Sequence, residues 1–344
     1  MPSGYKLTRR AFLKLGGSAL VGTVLGASGV RLWGQFKQPR AQVAILKAPQ
    51  YTMHLEEILR RGLLLYPGFV QRLRGARVLL KPNLIEYYDA HRVNTHPLFV
   101  AGVIAALRSL GAGEIIVGEG PGHRRDTEAL LELSGLQDVL EQMRVPFVDL
   151  NLDATAPVPL VANHTGLGQL HLPRTVLQAD MVISLPKLKT HHWAGVTLSM
   201  KNLFGVVPGA RYGWPKNLLH WRGIANSVVD ITLAVRPAFA IVDGIEGMEG
   251  DGPLYGDTVH AGVVIMGESL SAVDATATRV MGFYPEHINY LVMMLAHGGT
   301  LAPGQIQQLG ERLEDVRLNF RVLDYLRGLK SPLPWINRWV LGEW

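Results

Sequence analysis

The sequence predicts an α/β fold, a mainly parallel sheet or sheets flanked by helices, in one large domain or two lobes. Three observations carry this expectation. Short apolar runs of strand length recur along the chain. Segments with helical spacing separate them. Roughly 300 residues follow the first forty, enough to enclose a substantial core.

The elements follow in order. Val43-Ala44-Ile45-Leu46 reads as a strand, and His54 to Leu65 as a helix with basic residues on one face. Arg77-Val78-Leu79-Leu80-Lys81 is a second strand, stopped by Pro82. A helix starts near His96-Pro97 and ends at Gly111, with Asn94 or Thr95 as its cap and Pro97 in its first turn. Glu114-Ile115-Ile116-Val117 is a third strand, and it enters the glycine-rich loop Gly118-Glu119-Gly120-Pro121-Gly122. Thr127 to Met143 reads as helical with a break at Gly135, and Phe147-Val148-Asp149-Leu150 as a strand. Further buried strands are expected at Asp180–Leu185, Phe239–Val242 and Val263–Met266. Helices are expected at Asn217–Val235, Ser271–Met281 and Glu286–His297. No internal repeat interrupts the pattern. In parallel sheets of this kind, function collects in the loops beyond the carboxyl ends of the strands.

The two ends differ from this body, giving three expected regions: 1–40, 41–310 and 311–344. Thr8-Arg9-Arg10-Ala11-Phe12-Leu13-Lys14 sets paired arginines before Leu15–Val30, which holds no charge. That layout reads as a twin-arginine export signal, a receptor-read address. It implies an exported, periplasmic or otherwise extracytoplasmic protein, with the segment either removed or kept as a membrane anchor. At the other end, Trp335 and Trp339 stand four apart and share a helix face with Ile336 and Val340. This tail reads as docked on the domain, with contact to a membrane surface as the sharper alternative.

Charge and cysteine exclude several functions. The chain has net charge +6, from 34 Lys+Arg against 28 Asp+Glu. Residues 1–40 hold seven of the bases and no acid, so the remainder has 27 bases and 28 acids. No general basic footprint is left for nucleic acid. There is no cysteine. Cysteine-ligated iron–sulfur clusters, thiolate zinc sites and a cysteine nucleophile are therefore excluded. Any metal must be held by His, Asp, Glu or backbone oxygen.

Several segments carry chemistry-bearing residues. Leu185 to Gly209 follows a buried strand and gathers Lys187, Lys189, His191, His192, Lys201 and Asn202 in an otherwise apolar stretch. Histidine offers a base or a metal ligand near neutral pH. Lysine offers a fixed cation, or a nucleophile where burial lowers its pKa. Lys187 and Lys189 read either as a solvated rim or as groups that bind an anion. Lys201 falls in a run, Val196 to Val207, that reads as buried. Lys81-Pro82-Asn83 ends a strand and sets a cation and an amide at the sheet edge. His96 opens a helix, where it serves either in capping or in catalysis. Gly120, Gly122 and Arg124 suit a phosphate or carboxylate, though the loop is neither a dinucleotide fingerprint nor a Walker loop. Asp243, Glu246 and Asp251 alternate with glycines and could hold a hard cation, though not as an EF-hand. His220 lies near the start of an expected helix, where a lone histidine is usually structural.

Lys-Pro-Asn (81–83), Thr-His-Pro (95–97), Gly-Glu-Gly-Pro-Gly (118–122), Leu-Pro-Lys-Leu-Lys-Thr-His (185–191), Met-Lys-Asn-Leu-Phe-Gly (200–205) and the acidic stretch 243–253 together resemble the DUF362 family over residues 41–300. That family has no settled activity. A more distant resemblance is to the nickel-pincer lactate racemases. His191 through Ala194-Gly195, Lys201, Pro208-Gly209 and His220 come in the same order there. The resemblance implies a cofactor borne on Lys201, a nickel ligand at His220, and His96 and His191 as an acid/base pair. Lys81 and Asn202 are further candidates for holding a cofactor. The chain lacks the arginine between His96 and Pro97 and the paired glycines before the lysine, and it has extra residues between Lys201 and Pro208. A simple metal bound by histidine is the other cofactor expectation. The reading is of an enzyme, racemase-, isomerase- or oxidoreductase-like, that works on a small carboxylate or phosphate by histidine acid/base chemistry. The alternative is a non-catalytic anion-binding or accessory module.

Overall fold

The computed structural model describes residues 40–332 apart from 53, 89 and 123–125. The expected export segment up to residue 39, Arg124 and the tryptophan pair 335/339 lie outside the described residues.

The described strands are β1 (Ala41–Lys47), β2 (Val78–Pro82), β3 (Ile115–Glu119), β4 (Phe147–Asp149), β5 (Thr155–Pro159), β6 (Gln169–Pro173), β7 (Met181–Leu185), β8 (Lys187–His191), β9 (Gly195–Thr197), β10 (Phe239–Glu249), β11 (Asp257–Gly267) and β12 (Ile306–Gly310). The main sheet runs β12-β1-β11-β10-β7-β2-β3-β4, with β8 pairing β10 and β9. From β10 to β4 every pairing is parallel. β11 is antiparallel to both of its neighbours, β1 and β10. β5 and β6 form a separate antiparallel hairpin. The fold is α/β with a mostly parallel, mixed sheet.

Both faces of the sheet are covered, because successive strand residues feed two different cores. Val78 and Leu80 of β2, with Ile183 and Ile241, pack with Leu55 and Leu59 of helix α1 (Leu55–Leu63) and Phe99 and Val103 of α2 (Pro97–Ser109). Leu79, Val182, Ala240 and Val242 enter the opposite core. There they join the helices α3 (Ser199–Asn202), α5 (Ile224–Val235) and α6 (Leu270–Val280), with the short α4 (Asn217–Trp221) preceding α5. This period-2 division of apolar residues is what a doubly covered parallel sheet requires.

Several elements differ from expectation. The helix expected over 217–235 is two helices, α4 and α5, parted at Gly223 with φ +93°. The helix expected at 286–297 is one α-helix, Asn289–Met294, between two 3₁₀ turns. β10 runs on through Glu249 beside an equally long β11, so much of the expected acidic loop is strand, with a register shift between Gly244 and Glu246. The cap of α2 is His96, whose Nδ1 accepts the Leu98 N–H. Asn94 and Thr95 pin the preceding loop instead. Asn94 Oδ1 accepts the Ile85 N–H, while Thr95 Oγ1 accepts the Asn83 N–H and donates to the Leu185 carbonyl. Residues beyond Gly310 also pack inward, with Val316, Phe320 and Leu329 buried in the α5/α6 core. Among the described residues no helix is long and apolar enough to cross a membrane.

Strand order sets the position of the site. From β2 the chain steps outward through β3 and β4, then returns to the other side of β2 with β7. Such a reversal opens a crevice beyond the carboxyl ends of the strands on either side of it.

Candidate functional site

The floor of the crevice is a buried ion pair. Lys81 at the end of β2 and Glu119 at the end of β3 meet at 2.6 Å, with side chains 0% and 2% exposed. Lys81 Nζ also donates to the Pro82 carbonyl at 2.6 Å and to Asn202 Oδ1 at 3.1 Å. Glu119 accepts backbone N–H groups from Leu84 and Gly120. Asn202 returns its amide hydrogens to the Lys81 carbonyl and Ser184 Oγ. The cluster is thus bonded on all sides, as a buried charge must be. Gly205 packs against it, and a Cβ there would stand 1.9 Å from Glu119 Oε1. Burial holds Lys81 below the ordinary lysine range, with Glu119 opposing that shift.

Three more lysines surround the ion pair without a carboxylate partner among the described residues. Lys216 Nζ donates to the carbonyls of Gly120 at 2.7 Å and Phe204 at 2.9 Å. Lys189 Nζ donates to those of Val93 and Pro253. Lys201 Nζ has no such bond among the described residues and lies 4.2 Å from the centre of the Phe204 ring. Burial pushes Lys201 down to about 8 and Lys216 to about 7, and Lys189 well below its ordinary value. Lys81 lowers Lys201 further by repulsion, while Glu119 raises both Lys201 and Lys216.

The short turn that carries Lys201 is bonded to Asp274. This buried carboxylate of α6 accepts the Ser199 N–H at 2.8 Å, the Met200 N–H at 3.0 Å and the Ser199 hydroxyl. It therefore ties down the single turn of α3. Burial raises Asp274 to about 7 against the pull of these donors.

Two histidines line the same space in complementary tautomers, assigned from their hydrogen-bond partners. His191 Nδ1 accepts the N–H groups of Trp193 at 3.1 Å and Ala194 at 3.3 Å, so the proton of the neutral ring sits on Nε2. Burial, then the positive charge of Lys201, holds His191 well below the usual histidine value, which keeps it neutral. His220 Nδ1 lies 3.1 Å from the Lys216 carbonyl, which can only accept. In the neutral ring this contact puts the proton on Nδ1.

These groups share a cavity of about 390 Å³, lined by Lys81, Glu119, Gly120, Gly122, His191, Lys201, Asn202, Lys216 and His220 among others. Asn83 and Thr197 also line it, with Asn83 Oδ1 and Thr197 Oγ1 buried and without a hydrogen-bond partner. Of the candidates named from sequence, Lys81, His191, Lys201, Asn202, His220, Gly120 and Gly122 come together here.

The others do not. His96 lines a separate cavity with Glu246, its ring stacked 3.8 Å from Tyr51. It is a helix cap, not a partner for His191. Lys187 and Asp243 form a second fully buried pair at 3.1 Å. Asp243 also accepts the Tyr51 hydroxyl and the His96 N–H, so neither charge is offered to a ligand. Lys189 is buried and held by carbonyls, which rules out a solvated rim. Asp251 lies 3.7 Å from His192. Among the described residues no three His, Asp or Glu side chains group to hold a metal ion.

Glu119 and Lys216 were not among the sequence-derived candidates. A carboxylate closing the strand beside Lys81 was a readable signal for Glu119. Lys216 follows Gly213-Trp214-Pro215 in a turn with φ +70°, where no periodicity marks it.

A family described as "Domain of unknown function (DUF362)" matches residues 78–279. The thylakoid-associated protein sll1697 of Synechocystis sp. is 31% identical over 223 residues, 62% of this chain and 65% of that protein. The match thus spans just under two thirds of that relative's length. Among solved structures, the lactate racemase apoprotein from Thermoanaerobacterium thermosaccharolyticum superposes with TM-score 0.41 and 13% identity, over 60% of this chain and 51% of that one. A Thermotoga maritima protein gives TM-score 0.36 and 16% identity, over 59% and 52%.

Proposed function

This chain belongs to the DUF362 family, and on that premise we propose that it binds a small carboxylate or phosphate in the crevice and moves a proton on it. Lys201 anchors the anion. His220 Nε2 takes a proton from the substrate and returns it at the new position, while the neutral His191 Nε2–H donates a hydrogen bond to the oxyanion that develops between the two steps, so that an isomerisation balances without a further reactant. The observation that carries the reading is Lys201 Nζ itself. It is a half-buried cation in the cavity with no hydrogen bond or carboxylate partner among the described residues, where the other three lysines each have bonds. A partly desolvated cation that lacks an ionic partner carries a cost, and a bound anion would offset it. Calorimetric titration of the full chain with inorganic phosphate and with acetate tests this. Lys201→Met is expected to weaken binding at least tenfold. Equal affinity in the variant would sink the reading, and binding without turnover on any carboxylate would favour the non-catalytic module.

A nickel-pincer cofactor is the finer reading that the racemase resemblance implies. Lys201 and His220 would fit its anchor and its ligand. The second acid/base histidine does not fit, because His96 lines another cavity. Intact-mass analysis of protein from its native host tests for an adduct on Lys201.

Export by the twin-arginine route rests on Arg9-Arg10 and the uncharged run behind them. The relative named as thylakoid-associated supports a membrane-proximal location. Residues 1–40 fused to a folded reporter are expected to carry it out of the cytoplasm, and the double substitution Arg9→Lys, Arg10→Lys to retain it.

A further inference from the structure

Anion chemistry uses only part of the cavity. Much of the remaining lining is apolar, including Leu84, Phe204, Pro253 and Leu254. Two large aromatic side chains, Trp193 and Tyr255, also line it and are 67% and 78% exposed. Exposed rings of this size are usually mobile, but Trp193 is not left to find its own plane. Its indole sits edge-to-face against His192 at 4.7 Å and against His220 at 5.9 Å. His220 in turn tilts against Phe204 at 5.2 Å. A ring braced along one edge by two histidines and left open to solvent presents a face on which a flat ligand can stack. Acetate or inorganic phosphate would satisfy Lys201 and leave this surface wet. A space of about 390 Å³ falls at the lower end of the range that takes a ring-bearing ligand, roughly 300–1,000 Å³.

We propose that the ligand is an aryl anion, a carboxylate or phosphate carried on a planar aromatic body. Its charge lies at Lys201 and its ring stacks on Trp193, with Tyr255 and Phe204 beside it. This rests on the anion reading above and adds the apolar half of the ligand.

The test is calorimetric titration of the full chain with five probes: acetate, inorganic phosphate, hexanoate, benzoate and phenyl phosphate. Benzoate is expected to bind at least tenfold more tightly than acetate, and phenyl phosphate at least tenfold more tightly than inorganic phosphate, about 1.4 kcal/mol in each case. Trp193→Ala should remove most of that difference and leave acetate and inorganic phosphate within twofold. A circular-dichroism melt checks that the variant folds; Tyr255→Ala provides a second variant with a smaller loss of the same sign. Hexanoate matching benzoate overturns the proposal, because an alkyl chain cannot stack. So does Trp193→Ala without selective loss. Small anions that bind through Lys201 with no aryl preference overturn it while leaving the anion reading intact. If no probe binds and Lys201→Met changes nothing, the anion reading fails and this proposal with it.

Discussion

Lys216, which is buried, and Lys201, which is half-buried, sit in environments that disfavour their charge, which makes them measurable from the stability side. Their folded pKa values, about 7 and about 8, lie below the ordinary lysine value of 10.5. In the window between, the unfolded chain binds more protons than the folded one, so stability rises with pH there. Lys189 and Lys81 push in the same direction. Urea unfolding is therefore expected to show a higher midpoint at about pH 9.5 than at about pH 7.5. Lys216→Met and Lys201→Met should each flatten the rise, and a midpoint that falls over this window would contradict the assignment. At this scale the sequence was only partly legible. Lys81 could be read because a lysine closing an apolar strand has few places to go except the sheet edge. Thr-His-Pro suits a helix cap as well as it suits catalysis, so the sequence leaves His96 open, and the bond from the Leu98 N–H together with its separate cavity gives it the capping place. Lys216 could not be read, because its burial comes from carbonyls of Gly120 and Phe204 that lie far from it or in unrelated turns.

Among the elements, α3 matters most, although it is a single turn. A helix of four residues has no stability of its own, and the three bonds from Ser199 and Met200 to Asp274 hold it in place. Asp274→Ala would leave two buried N–H groups unpaired and the Ser199 hydroxyl with only the Leu270 carbonyl. A loss of about 2–4 kcal/mol is expected in urea unfolding, together with weaker anion binding because Lys201 rides on this turn. Asp274→Asn, which keeps one acceptor, should fall between. A loss of stability with anion affinity unchanged would show that the turn does not position Lys201. The parallel strands β2, β3 and β7 were legible because residues buried on both faces leave continuous apolar runs. The β5–β6 hairpin was not, since Pro157, Pro159 and Pro173 disguise it and its strands are largely exposed on one side. β8 was also hidden. Its five residues are all buried, yet Lys187, Lys189, Thr190 and His191 are polar, and only their partners explain that. The split of α4 from α5 rests on the φ of one glycine, Gly223.

For the whole molecule, the core continues past residue 310. Val316, Phe320 and Leu329 complete the α5/α6 side of the core. A chain ending at Gly310 is expected to expose that surface, bind a hydrophobic dye and elute as aggregate in size-exclusion chromatography; an equally monomeric, cooperatively melting truncation would contradict this. The sheet order has a consequence for when the fold can be completed. β1, the first described strand, lies between β11 and β12, and Gln42 bonds to Gln307 across a sequence separation of 265 residues. A ribosome makes some 5–20 residues per second, so β1 waits tens of seconds for both of its neighbours. During that interval its edges are bare. If residues 1–40 act as the proposed export signal, a receptor that engaged them at once would meet an unfinished sheet. One that accepts only sealed cargo would, in effect, be timing its decision on the synthesis of β12.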